Sequence, residues 1–160
     1  MCYAAFILYL HMHAMGFAFN RLKKLMTPVH LKLLSMSRIF LLVGMGGFVG
    51  GVSRYYSQQI ITKLFPSALP YGTLAVNISG CLLIGIIYGL FERGNVLTIE
   101  WRLFLATGFC GGFTTFSNFS YESIKLIQDG EFFYLALYIA LSVIIGFAAT
   151  YLGMSIVKLF

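Results

Sequence analysis

Long apolar stretches separated by short polar ones dominate the chain from residue 36 onwards. A helix needs about 20 mostly apolar residues to cross a bilayer. Four stretches meet this need: Ile39 to Ile61, Tyr71 to Phe91, Trp101 to Ile127 and Phe132 to Val157, with approximate ends. The pattern predicts an all-α integral membrane protein with four transmembrane helices and short connections.

The connections are marked by helix breakers and polar residues. The first, KLFPSALP (63–70), holds two prolines, each of which lacks an amide donor and restricts the residue before it. ERGNVLTIE (92–100) and QDGE (128–131) separate the later helices. Because Tyr71 to Phe91 carries no charged side chain, it is the clearest transmembrane segment.

Composition excludes a soluble domain and disfavours several functions. Hydrophobic residues make up 59% of the chain and charged residues only 10%, whereas soluble domains carry about 25% charged residues. The net charge of +6 comes from cations at the ends of apolar segments, which is typical of membrane proteins and not of nucleic-acid binding. The cysteines Cys2, Cys81 and Cys110 form no CxxC pair and are interpreted as small buried hydrophobes. The sequence shows no nucleophile paired with a base of the kind that would indicate an enzyme.

Residues 1–35 form an N-terminal extension of doubtful status before the four-helix domain, residues 36–160. The extension is apolar but lacks the basic start of a signal peptide. It fits a marginal fifth helix, an interfacial helix followed by RLKK (21–24), or a start codon assigned too early. We favour the last, because Met36 directly precedes the first helix. The His11 and His13 pair has no further ligands nearby, so no metal site is expected there.

The Lys and Arg residues are nearly balanced across the predicted membrane. Counted from Met36, one side has Arg38, Arg93, Arg102 and Lys158, and the other has Arg54, Lys63 and Lys125. Since this difference sets orientation, four against three predicts insertion in both directions and permits an antiparallel dimer. The extension adds Arg21, Lys23, Lys24 and Lys32, and eight against three would impose one orientation.

The third predicted helix contains the segment GFCGGFTTFSNFS (108–120), which is rich in glycine, hydroxyl and amide groups. Each of the adjacent glycines Gly111 and Gly112 costs a helix about 1 kcal/mol, so we expect a break here, mid-membrane. A break frees backbone carbonyls, and a ring of carbonyls suits a structural Na⁺. Close helix packing through small residues is the alternative interpretation.

Uncharged groups suited to an anion recur at helical spacing. Phe116 and Phe119 are three residues apart, and their ring edges carry partial positive charge, although packing is the commoner role of such a pair. Thr73 and Asn77, like Tyr138 and Ser142, are four apart and place polar groups on one face. Such weak, repeated contacts suit conduction of a small anion. Arg54 and Glu122 fall towards the span ends, and the lack of a deep acidic residue disfavours proton coupling through a carboxylate.

Three segments together resemble the Fluc (CrcB) fluoride channels in order and spacing: GGFVGGVSRYY (46–56), PYGTLAVNISGCLLIG (70–85) and GFCGGFTTFSNFSYE (108–122). The resemblance covers about residues 36–160. It implies a passive, fluoride-selective channel that exports cytoplasmic fluoride across the plasma or inner cell membrane. It further implies a multi-pass, dual-topology, antiparallel homodimer in the lipid bilayer, with two pores, a central structural Na⁺ and no nucleic-acid partner.

The resemblance also implies roles for individual residues. Gly111 and Thr114 would hold Na⁺ through their backbone carbonyls, and Arg54 and Glu122 would lie near a vestibule. The anion pathway would be formed by Thr73, Asn77, Thr115, Phe116, Phe119, Tyr138 and Ser142. Asn118 departs from the family pattern, in which many members have a small hydroxyl residue, and we expect this change to be tolerated.

Two other classes of protein compete with a fluoride channel. A small multidrug-resistance-type exporter is also a dual-topology four-helix dimer, but it needs a membrane-buried Glu in the first helix, which this chain lacks. A structural membrane subunit would leave the cost of Asn77 and of the broken third helix unexplained.

Overall fold

The computed structural model describes residues 36–94 and 98–159, and all structural statements below concern these residues. The chain divides into two compact units, residues 1–40 and 41–160, and the contacts below lie within the second. The predictions made for residues 1–35, including the His11 and His13 pair, lie outside the described residues.

The described chain is helical. Its elements are α1 (Met36–Leu64), α2 (Tyr71–Glu92), α3 (Ile99–Arg102), a π-helical segment (Leu103–Cys110), α4 (Gly111–Phe113), α5 (Phe116–Gln128) and α6 (Phe132–Lys158). Among them, α1, α2 and α6 are long and apolar enough to cross a membrane, with mean hydropathies of 1.4, 2.1 and 2.3. These three correspond to the predicted first, second and fourth transmembrane helices.

The third predicted helix is divided. Its backbone stays helical from α3 through α4, because the residues at each junction have right-handed helical angles. Thr114 (φ −82°, ψ 155°) and Thr115 (φ −148°, ψ 117°) are then extended, and α5 begins at Phe116. Neither α5 nor the stretch before it qualifies by itself as a membrane span. The arrangement of four spans therefore stays a prediction.

The interruption follows the glycine pair to which the sequence analysis attributes it. Gly111 and Gly112 are themselves helical. A Cβ atom on Gly112 would collide with the carbonyl oxygen of Gly47 in α1. Gly112 thus serves close packing, which is the alternative interpretation of these small residues, while the two threonines change the direction of the backbone.

Small residues of α1 also contact the π-helical segment. A Cβ atom on Gly46 would collide with the carbonyl oxygen of Phe104, and one on Gly50 with that of Phe109. The backbones of the two elements therefore touch, as they do in many membrane helix pairs whose contact lacks large side chains. This contact fixes the approach of α1 to the segment that leads to the interruption.

Helix α2 packs most extensively against α6 among the elements from α2 onwards. Gly85 lies against the carbonyl oxygen of Thr150, and Gly153 lies against that of Leu82. These close approaches hold α2 and α6 together, and they present Thr73 and Asn77 of one helix beside Tyr138 and Ser142 of the other.

Two groups of buried apolar residues lie between the helices. One contains Leu69, Leu74, Leu126 and Tyr138, and the other contains Ile87, Ala106 and Cys110. Cys110 is only 1% exposed, which agrees with its interpretation as a small buried hydrophobe. Tyr138 is fully buried although it carries a hydroxyl group, so that group needs a partner within the protein.

Candidate functional site

Asn77 of α2 binds the interrupted backbone with its whole side-chain amide. Its Nδ2 donates to the carbonyl oxygen of Thr115 at 3.1 Å, and its Oδ1 accepts from the amide of Thr115 at 2.8 Å. The Thr115 amide has left the helical hydrogen-bond pattern, whereas the Thr115 carbonyl, at the N-cap of α5, also accepts the first bond of that helix. Unpaired backbone groups are costly in an apolar environment. Asn77 therefore stabilises the interruption directly.

The two threonines complete the interruption from within. The amide and the hydroxyl of Thr114 both donate to the carbonyl oxygen of Cys110, each at 2.9 Å. Thr115 caps α5, because its Oγ1 accepts from the amide of Asn118 at 3.2 Å. The same oxygen lies 3.1 Å from Oγ of Ser117. Side chains thus replace much of the lost helical bonding.

Arg54 of α1 also binds the backbone next to the interruption. Its Nε donates to the carbonyl oxygen of Gly112 at 3.1 Å. The residue lies well inside α1, which continues to Leu64, and its cationic head is half-buried beside the interruption. The vestibule role implied by the resemblance stays a prediction, but the contact gives Arg54 a structural partner.

Glu122 of α5 joins α2 to α6. Its Oε1 accepts from the hydroxyl of Thr73, and its Oε2 accepts from the hydroxyl of Tyr138, both at 2.7 Å. Thr73 is 2% exposed, so both donors are buried. The sequence analysis predicted these hydroxyls as anion ligands but did not foresee that they would already hold a carboxylate.

Three aromatic rings form a row that ends at this carboxylate. The ring centroids of Phe116 and Phe119 are 5.8 Å apart, and those of Phe119 and Tyr138 are 5.0 Å apart. Phe116 is 79% exposed, so it does not pack in the core of the subunit. The row therefore leads from the surface of the chain to the buried hydroxyl of Tyr138.

The predicted site residues line two separate cavities. One, of about 510 Å³, is lined by Asn77, Gly111, Thr114, Thr115, Phe116, Phe119 and Ser142, with other residues. The other, of about 380 Å³, is lined by Thr73 and Glu122 together with Lys125, Asp129 and Glu131. Tyr138 contacts Glu122 at the second cavity and Phe119 at the first. The structure thus distributes most of the predicted residues between two cavities, and the buried Tyr138 contacts residues of both, whereas Arg54 lines neither.

Ser142 offers a free donor at the first cavity. Its Oγ is buried and has no hydrogen-bond partner among the residues that the structure describes. Buried hydroxyl groups normally have partners. This hydroxyl therefore has an unused hydrogen-bonding capacity beside the first cavity.

Gln58 of α1 is a residue at the site that was not predicted from the sequence. Its Nε2 donates to Oγ1 of Thr73 at 3.0 Å, and its Oε1 lies 3.5 Å from Nδ2 of Asn118. An amide in an apolar helix, one turn after Arg54, is a signal that could have found it, because such groups are costly unless they have partners.

Apolar helices with hydrogen-bonded polar side chains between them define this chain as a multi-pass membrane protein. Residues 41–154 match the family described as "CrcB-like protein, Camphor Resistance (CrcB)". The chain belongs to this CrcB family, as its sequence motifs predicted.

Curated relatives cover most of the chain and nearly all of their own length. A protein of Chlorobium phaeobacteroides (strain BS1) is 48% identical over 74% of this chain and 92% of its own. One of Flavobacterium psychrophilum is 44% identical over 72% and 94%, and one of Leptospira interrogans is 38% identical over 79% and 100%. All three are named fluoride-specific ion channel FluC, so the family consists of membrane channels and not of enzymes.

Removal of the Asn77 amide tests its hold on the interruption. We expect Asn77→Leu to leave the amide of Thr115 unpaired, at a cost of about 1–3 kcal/mol. Thermal unfolding of the purified protein in detergent should show a lower midpoint. Ser79→Ala is the matched control, because the Ser79 hydroxyl bonds only to carbonyls of its own helix. Equal midpoints for the two variants would contradict the role given to Asn77.

Proposed function

We propose that this protein is a passive, fluoride-selective channel that exports cytoplasmic fluoride and so reduces its toxicity. The row of Phe116, Phe119 and Tyr138 between the two cavities carries this proposal, because it offers an anion a series of uncharged contacts. The names of the curated relatives support fluoride as the ion. Fluoride that enters the cell as HF would dissociate inside and leave down its gradient.

Weak contacts suit passage better than a fixed positive charge would. The edges of phenylalanine rings attract an anion without holding it tightly. The hydroxyl of Ser142 adds a hydrogen-bond donor in the first cavity. Beyond Phe119, an anion would compete with the Glu122 carboxylate for the hydroxyls of Tyr138 and Thr73. Exchange among several such sites permits both entry and release.

We further propose that the channel is an antiparallel, dual-topology homodimer with two pores. The exposed ring of Phe116 supports a second subunit, because a pathway residue that faces outwards needs a cover. The nearly balanced Lys and Arg count supports insertion in both directions. Arg54 lies inside α1, so the orientation of the four-helix domain would rest on a difference of one or two residues.

A central Na⁺ held by the carbonyl oxygens of Gly111 and Thr114 fits the interruption. In an unbroken helix these oxygens would accept from the amides of Thr115 and Asn118. Those amides instead donate to Oδ1 of Asn77 and to Oγ1 of Thr115. Both carbonyls thus lack their usual donor, and Gly111 is exposed. Such oxygens suit a hard monovalent cation, which would stabilise the interruption between two subunits.

The alternative, a small multidrug-resistance-type exporter, is not favoured. Helix α1 contains no Asp or Glu that could couple transport to protons. The curated relatives are named as fluoride channels.

Fluoride efflux from liposomes tests the channel and its aromatic row. We expect liposomes that contain the purified protein to release fluoride much faster than chloride. Phe116→Ile and Phe119→Ile should lower the fluoride rate by about fivefold, the effect of losing an aromatic contact of about 1 kcal/mol. Phe147→Ile is the matched control for Phe116→Ile, because both rings are exposed (75% and 79%) but Phe147 lies outside both cavities.

Equal fluoride and chloride rates, or no fluoride release above that of protein-free liposomes, would overturn the channel. Full fluoride flux in folded Phe116→Ile and Phe119→Ile variants would remove only the aromatic row.

Exchange of Na⁺ for N-methylglucamine tests the central ion. Because a ligand stabilises the state that binds it, we expect the midpoint of thermal unfolding to fall by about 5 °C and to recover when Na⁺ is added back. The midpoint should not recover with an equal concentration of choline. An unfolding midpoint that is the same with and without Na⁺ would argue against the site.

The side of the membrane on which the C-terminus lies tests dual topology. For the form that begins at Met36, a C-terminal reporter should be detected on both sides of the membrane in comparable amounts. The full chain, with its additional Arg and Lys residues, is the control, and we expect a single orientation. One-sided labelling of the shorter form would exclude dual insertion.

A further inference from the structure

Gln58 of α1 contacts a residue of the candidate pathway although it lines neither cavity. Its side-chain amide is half-buried and donates through Nε2 to Oγ1 of Thr73 at 3.0 Å. Thr73 lines the cavity of about 380 Å³, which Gln58 does not line. The Gln58 side chain is therefore placed to influence the cavity through Thr73.

The backbone holds these two side chains together. Gly72 precedes Thr73, and a Cβ atom on Gly72 would lie 2.7 Å from Oγ1 of Thr62 and 3.0 Å from the carbonyl oxygen of Gln58. Only glycine allows the start of α2 to approach α1 this closely. The contact between Gln58 and Thr73 is thus fixed by helix packing and does not depend on a flexible side chain finding its partner.

The chemistry of the groups fixes the direction of the hydrogen bonds. An amide nitrogen only donates, so Thr73 must accept from Gln58. The single hydroxyl proton of Thr73 then goes to the cavity side, where Oε1 of Glu122 accepts it at 2.7 Å. Oε1 of Gln58 faces Nδ2 of Asn118 at 3.5 Å, a distance at the outer limit for hydrogen bonding. This contact orients the Gln58 amide with its nitrogen towards Thr73.

We propose that Gln58 is a positioning residue of the anion pathway. By donating to Thr73, it obliges the Thr73 hydroxyl to act as a donor on the cavity side. At rest, the Thr73 hydroxyl donates a hydrogen bond to Glu122. During conduction, it donates to a passing anion instead. This inference rests on the proposed function, because it assigns Gln58 an effect on fluoride passage.

Gln58→Met tests the proposal, because methionine has a similar length but cannot donate to Thr73. We expect the fluoride efflux rate to fall by about tenfold, which is the effect of losing about one hydrogen bond. The midpoint of thermal unfolding should change little, because the apolar side chain suits the helix and Thr73 keeps its hydrogen bond to Glu122. Gln59→Met is the control, because Gln59 is the exposed neighbour, and it should conduct at the unchanged rate.

A double-mutant cycle separates positioning from general damage. Thr73→Val removes the hydroxyl through which Gln58 acts, so Gln58→Met should have no further effect on efflux in that background. Gln58→Glu has the same shape as the native side chain, but its carboxylate can only accept a hydrogen bond. The Thr73 hydroxyl would then donate to residue 58 and not to the cavity side. This variant should also lower the rate, and it provides a second measurement if Gln58→Met does not fold.

The outcomes distinguish this inference from the proposed function. If the unaltered protein releases no fluoride, the proposed function fails. If the unaltered protein conducts while folded Gln58→Met and Gln58→Glu conduct equally fast, the role of Gln58 is wrong and the channel stands. The role is also wrong if the reductions caused by Gln58→Met and Thr73→Val multiply in the double variant.

Discussion

Hydrogen bonding of the backbone at Thr114 and Thr115 is the constraint on which the rest of the structure depends. Inside a bilayer no water is available to pair with amide and carbonyl groups, so an interrupted helix must be satisfied by the protein. Asn77 from α2 and Arg54 from α1 each bind backbone groups at the interruption. The close approach of helices through glycines brings these side chains within reach. The candidate pathway and the contacts that stabilise the interruption are therefore built from the same helices.

The aromatic row and the first cavity of the candidate pathway are built from groups without formal charge, whereas the second cavity is lined by Glu122, Lys125, Asp129 and Glu131. Two hydroxyls hold the Glu122 carboxylate, and the Tyr138 ring, which carries one of them, contacts Phe119 in a tilted arrangement. The same hydroxyls can serve the carboxylate or an anion, because each donates one proton. The site thus offers exchange between acceptors, which suits rapid passage better than permanent binding.

The sequence predicted the long helices well, because α1, α2 and α6 are continuous apolar stretches whose ends are marked by prolines and polar residues. The spacing of Thr73, Asn77, Phe116, Phe119 and Tyr138 also identified side chains that the structure places at or next to the two cavities, while their role as an anion pathway stays a prediction. The position of the interruption was predicted less well. Helix propensity points to the glycines, whereas a glycine packed against a neighbouring helix can stay helical, and propensity contains no information on that neighbour.

Contacts between distant parts of the chain could not be predicted from spacing. Gln58 and Glu122 lie in different helices, and their connection through Thr73 depends on how closely α1 and α2 approach. Helical periodicity describes one helix at a time and gives no register between helices. The partner of a polar side chain in a membrane therefore emerges only from the three-dimensional structure.

The hydroxyl of Ser142 has a consequence for how such a protein balances stability against activity. A buried donor without a partner costs a folded protein about 1–3 kcal/mol. An alanine at this position would remove that cost. The serine therefore leaves the folded protein less stable than its packing allows, which is the expected result where selection acts on a property other than stability.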